Sequence, residues 1–165
     1  MNFLKKSYFK FYLLILIIFI SSVYLSFNKI QKGNSETKNL EPVVLNLLTS
    51  VHPNLPWKFK AIKPTLSVTP GEVTSVEYMV TNLNNKATTG IATFAYFPKQ
   101  YGNYISKLNC FCFDAQTLKA NEKAKYTLVL LIDPEATKDS KTKKVKEVTI
   151  QFTFFDYKDY KKNKS

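Results

Sequence analysis

A chain of 165 residues, 45% of them hydrophobic and 15% aromatic, has room for one domain with a real core. Its formal net charge of +12 comes from 24 basic against 12 acidic residues, and every basic residue is a lysine. Bidentate reading of phosphate or guanine is arginine's strength, so a nucleic-acid partner is excluded and the lysines read as solvated surface.

Residues 1–10 carry Lys5, Lys6 and Lys10 and read as a cytoplasmic N-terminus under the positive-inside rule. Residues 11–28 hold no charge and are rich in Leu, Ile and Phe as far as Ile20. Eighteen helical residues would span about 27 Å, which predicts a transmembrane helix. Ser21-Ser22-Val23-Tyr24-Leu25 is a poor cleavage site, so the helix reads as an uncleaved signal-anchor. With no Arg- and Ser-rich transit segment, the expected location is a bacterial inner membrane, single-pass, with the C-terminal domain on the periplasmic side. Residues 29–41, with Gly33-Asn34-Ser35, read as a linker.

From Pro42 onward the pattern is strand after strand. Val76, Tyr78 and Val80 alternate with Ser75, Glu77 and Thr81; Ala92, Phe94 and Tyr96 alternate with Ile91, Thr93, Ala95 and Phe97. The same period of two runs through Tyr126, Leu128, Leu130 and Ile132, and through Val148, Ile150, Phe152 and Phe154. Turn signals stand between them at Thr69-Pro70-Gly71-Glu72, Asn82-Leu83-Asn84-Asn85 and Asp133-Pro134-Glu135. The expected class is all-β: an immunoglobulin-like β-sandwich over residues 42–157, preceded by the single transmembrane helix. Residues 158–165 read as a basic tail.

Much chemistry is excluded. The one histidine, His52, stands before Pro53 in an expected loop. There is no Gly-rich phosphate loop, no HExxH and no nucleophile elbow. Asp114, Glu122, Asp133 and Glu135 are scattered near turns without acid–base pairing, so the chain does not read as an enzyme.

The only two cysteines stand one residue apart in Asn109-Cys110-Phe111-Cys112-Phe113. On a strand, Cys110 and Cys112 would share an outward face while Phe111 and Phe113 enter the core. Paired thiolates suit Cu(I) above all. A small buried hydrophobe is the competing reading of any free cysteine, and thiol–disulfide exchange is another. A structural disulfide across one residue is disfavoured, because it closes almost no loop.

Leu55-Pro56-Trp57-Lys58-Phe59, Pro70-Gly71-Glu72, Gly90-Ile91-Ala92-Thr93-Phe94 and, most specifically, Lys107-Leu108-Asn109-Cys110-Phe111-Cys112-Phe113 resemble the CtaG/Cox11 cytochrome c oxidase assembly proteins. The resemblance runs over roughly Val43 to Tyr157 plus the apolar N-terminal segment, closing on Val148 to Phe155. It implies a membrane-anchored Cu(I) chaperone that delivers copper to the copper B centre of oxidase subunit I. By the same resemblance Cys110 and Cys112 are the copper ligands, an unidentified donor supplies the metal, and the loaded protein is a homodimer. A periplasmic thiol–disulfide reductant for oxidase assembly is the alternative. The chain departs from the family in three places. There is no cysteine between Ser26 and Lys38, Ala120-Asn121-Glu122 replaces a Pro-Gly-Glu, and Tyr126 stands where methionine is common.

Overall fold

The computed structural model describes residues 15–26 and 40–162. They belong to two units, one ending at Asn39 and the other beginning at Leu40.

In the first unit, helix α1 is described over residues 15–26. No helix among the described residues is long and apolar enough to cross a membrane. The expected transmembrane anchor over 11–28 is therefore corrected, and with it the signal-anchor, the single-pass inner-membrane placement and the membrane-anchored form of the function. The physical reason lies in the sequence itself. The continuous Leu/Ile/Phe run stops at Ile20, and Ser21, Ser22, Tyr24 and Ser26 follow within α1. Residues 11–14 and 27–28 of the expected span, the N-terminus over 1–10, and the linker over 29–39 lie outside the described residues.

The described residues of the second unit form nine strands: β1 (Val43–Val51), β2 (Trp57–Ala61), β3 (Thr65–Val68), β4 (Val73–Asn82), β5 (Thr88–Phe97), β6 (Ile105–Asn109), β7 (Gln116–Leu118), β8 (Lys123–Ile132) and β9 (Glu147–Asp156). Short 3-10 helices lie at Lys99–Tyr104 and Pro134–Thr137, and helix α2 covers Tyr157–Lys162. Five strands form one sheet in the order β3-β1-β9-β5-β7, and four form the other in the order β2-β4-β8-β6. Expectation and structure differ in class. Helical segments accompany the sheets, so the content is mixed, and the all-β immunoglobulin-like sandwich with a transmembrane preface does not describe the chain.

Alternation explains which faces meet. Val76, Tyr78 and Val80 on β4, Leu128, Leu130 and Ile132 on β8, and Val148, Ile150, Phe152 and Phe154 on β9 are buried. Each such side chain contributes about 1.5–3 kcal/mol by leaving water. The sheets touch through aromatic rings: Phe59 of β2 stands 4.9 Å from Phe154 of β9, and Tyr78 of β4 5.7 Å from Phe152. β9 lies central in its sheet, parallel to β1 and antiparallel to β5. A side chain at Gly90 of β5 would come within 2.8 Å of Leu55 and 2.9 Å of Trp57, so that strand needs glycine to sit against the loop before β2. The Trp57 indole then donates to the Thr88 hydroxyl at 2.7 Å.

β6 and β7 lie on outer edges of different sheets, and β7 pairs with β5 only from Thr88 to Gly90. The chain must cross from one sheet to the other between Asn109 and Gln116. That crossing carries both cysteines.

Candidate metal centre

Pairing of β6 with β8 slips between Lys107 and Asn109, and the strand ends there. Residues 110–115 form a turn, not the expected strand continuation. Phe113 N–H donates to the Cys110 carbonyl at 3.2 Å, closing the turn. The Gln116 side-chain amide donates to the carbonyls of Phe111 and Asp114, each at 3.2 Å.

Strand alternation is consequently lost. Phe111 is buried while Phe113 is 58% exposed. Cys110 is buried and Cys112 half-buried, so the sulfurs do not share an open face. The two are joined in a disulfide across Cα atoms 5.0 Å apart, the bond that loop-closure entropy had disfavoured. Loop entropy says little about a bridge between neighbours already brought together by a turn. The Cys112 N–H donates to the Cys110 sulfur at 3.2 Å.

Phe111 holds this turn in place. Its ring lies 5.0 Å from Phe152, 5.2 Å from Tyr78, 5.5 Å from Tyr126, and 5.8 Å from both Phe59 and Phe154. Rings at these separations gain from their quadrupoles as well as from burial. Tyr126 stacks on Phe111 at an interplanar angle of 19° and so supports the turn. Burial pushes the Tyr126 phenol up to about 12, with Glu122 adding to the shift. The Tyr78 hydroxyl is buried with no hydrogen-bond partner among the described residues, and burial raises its pKa strongly.

Lys107, the nearest cation in sequence, is committed elsewhere. Its ammonium stands 3.6 Å from the Phe94 ring centre and donates to the Tyr96 hydroxyl at 2.7 Å. Partial burial lowers the Lys107 pKa and pushes Tyr96 up to about 12. His52 stacks on Phe155 with ring centres 5.4 Å apart. Among the described residues no group of three or more His, Cys, Asp or Glu side chains could hold a metal ion. Among the described residues the turn brings together two sulfurs, joined in the disulfide. Once reduced, two thiolates would be a soft donor set of low number, a chemistry that suits Cu(I) better than Zn(II).

The model of the cytochrome c oxidase assembly protein CtaG/Cox11 family matches residues 21–156. The chain belongs to the CtaG/Cox11 family. It is 39% identical over 117 residues to cytochrome c oxidase assembly protein CtaG of Nitrobacter hamburgensis, covering 71% of this chain and 54% of that protein. Identity to CtaG of Sinorhizobium fredii is 36% over 115 residues, covering 70% and 58%. Identity to the mitochondrial assembly protein COX11 of Dictyostelium discoideum is 32% over 133 residues, covering 81% and 42%. The chain thus spans about half the length of these relatives. CtaG/Cox11 proteins are assembly factors, in agreement with the reading of the chain as a non-enzyme.

Sequence reasoning picked out the two cysteines but missed the aromatic nest that positions them. Its signal was present: Phe59, Tyr78, Tyr126, Phe152 and Phe154 all fall on the inward phase of their strands' alternation.

Proposed function

We propose that this protein carries Cu(I) as cargo on the Cys110 and Cys112 sulfurs during assembly of cytochrome c oxidase, and delivers it to the copper B centre of subunit I. The observation that carries the reading is a pair of soft ligands on a turn pinned by Phe111, in a chain of the CtaG/Cox11 family.

Loading begins with reduction. The disulfide takes two electrons and two protons from a dithiol reductant, which becomes a disulfide in turn. Binding of Cu(I) by the two thiolates then releases two protons. Two sulfurs leave the ion open, and a second copy of the chain supplies further thiolates in a loaded homodimer. Exposed Phe113 beside the turn gives that contact apolar surface. Low coordination keeps ligand exchange available, so the acceptor can take the metal stepwise.

Anaerobic Cu(I) titration of the fully reduced chain, with size exclusion before and after, tests this. About one copper per chain is expected, accompanied by dimerisation, and no tight binding in Cys110→Ser or Cys112→Ser. Stoichiometric Cu(I) retained by both variants overturns the assignment. Failure of the reduced protein to bind Cu(I), together with turnover of a small disulfide substrate, replaces it with thiol–disulfide exchange.

A further inference from the structure

The outward face of the four-stranded sheet has a polar character that copper handling does not use. Strand register places Lys58 of β2, Thr81 of β4 and Lys123 of β8 in one row, and Lys60, Met79 and Lys125 in the next. Lys125 is paired with Glu77 at 2.9 Å. Lys58, Lys60 and Lys123 have no carboxylate partner among the described residues. They stand around an open concavity of about 420 Å³ lined also by Met79, Thr81 and Leu83. Met79 is 37% exposed and Leu83 60% exposed, so apolar surface lies between unpaired cations.

Three unpaired like charges over an apolar floor are complementary to a ligand that is anionic and partly apolar. Strands about 4.8 Å apart put Lys58 and Lys123 roughly 10 Å from each other at the backbone, and Lys60 follows Lys58 by about 7 Å. A 7 Å spacing is that of alternate residues in an extended chain. A second copy is a poor occupant of this face, because a symmetric contact here would set the same lysines against one another. A bilayer presents a plane, whereas Met79 and Thr81 lie on the central strand with lysines on both neighbours. No aromatic ring lines the concavity to stack on bases, and no arginine is present to grip phosphate.

We propose that this face docks an extended acidic segment of another protein, with carboxylates at alternate positions received by Lys58 and Lys60, an apolar side chain seated on Met79 and Leu83, and a further carboxylate beyond it received by Lys123. The surface is independent of the copper assignment and needs no metal.

The probe is a labelled peptide, Thr-Glu-Thr-Leu-Thr-Glu-Thr-Glu, whose three glutamates and leucine share one face when extended. Its binding to the full chain is followed by fluorescence anisotropy at about 0.15 M salt, where nonspecific long-range attraction is screened. Lys58→Glu/Lys60→Glu/Lys123→Glu should weaken binding at least about 10-fold, and Lys141→Glu/Lys143→Glu/Lys144→Glu, with the same net charge, less than about 3-fold. Circular dichroism confirms folding, and Lys58→Gln/Lys123→Gln serves if the triple variant unfolds. Equal weakening in the two triple variants reduces the effect to net charge and overturns the proposal. No peptide binding also overturns it. So does binding to phosphatidylserine vesicles, but not to the peptide, when that binding is lost in the first variant.

Discussion

Two neighbouring turns in this domain are held by opposite means. The turn after β7, Lys119–Glu122, is organised around the fully buried side chain of Asn82. The Asn82 amide donates to the carbonyls of Lys86 at 2.9 Å, Leu118 at 3.2 Å and Lys119 at 2.9 Å, and its carbonyl accepts from Asn84 N–H at 3.0 Å. Asn121 takes the left-handed conformation at φ 56°, which asparagine tolerates, and the Lys119 N–H donates to the Glu122 carboxylate at 2.6 Å. The cysteine turn before β7 is built on one buried ring, Phe111, and one disulfide, with its hydrogen bonds made by the Gln116 amide and within the turn and no buried polar side chain at its centre. Hydrogen bonds are directional and specify many atoms at once. A packed ring anchors one residue and leaves its neighbours loosely specified. The difference shows where the turn is open: Phe113 is exposed, while Cys112 is half-buried against the core beside the buried Cys110.

Removing the ring should have the largest effect. Phe111→Ala is expected to cost about 3–5 kcal/mol in denaturant unfolding, and to weaken Cu(I) binding by the reduced protein as well. Unchanged Cu(I) affinity in a folded Phe111→Ala protein would break the comparison. Asn82→Ala is expected to cost about 2–3 kcal/mol, because buried carbonyls lose their donor, while leaving Cu(I) stoichiometry unchanged. Parallel loss of copper there would mean that the two turns are one unit. Tyr78→Phe tests the nest more finely. Deleting a buried hydroxyl that has no partner should raise stability by about 1 kcal/mol, and a measured loss would reveal a partner for it.

The smallest effect concerns a third loop, between β8 and β9. The Tyr104 hydroxyl donates to Asp139 at 2.5 Å, and that bond, followed by one from Lys141 N–H, lowers the Asp139 pKa below 3.8. A depressed carboxylate pKa stabilises the fold above the unfolded value and loses that contribution as pH falls through the folded one. Thermal melts below about pH 4 should therefore fall less steeply with acid in Tyr104→Phe than in the parent. An identical acid dependence would remove Tyr104 from the account.

The adjacency of the two cysteines, most strand positions and the family were legible in the chain alone, because they depend on residue types at fixed spacing. Val76-x-Tyr78-x-Val80 and Val148-x-Ile150-x-Phe152-x-Phe154 are inward faces whatever they pack against. The N-terminal segment was misjudged, since apolar composition over 11–28 does not establish that an uninterrupted spanning helix forms there. The cysteine turn was misjudged for a different reason. Alternation is a local rule, and Asn109–Phe113 obeys it in sequence, but the next strand belongs to the other sheet. Crossing between sheets ends β6, and Phe111 on that crossing packs into the gap between Tyr78, Tyr126, Phe152 and Phe154. Residue chemistry by itself determined that two cysteines stand one residue apart. Only the tertiary structure decided that one is buried, the other half-open and the two bonded, because the aromatic gap that turns the chain is built from strands far apart in sequence.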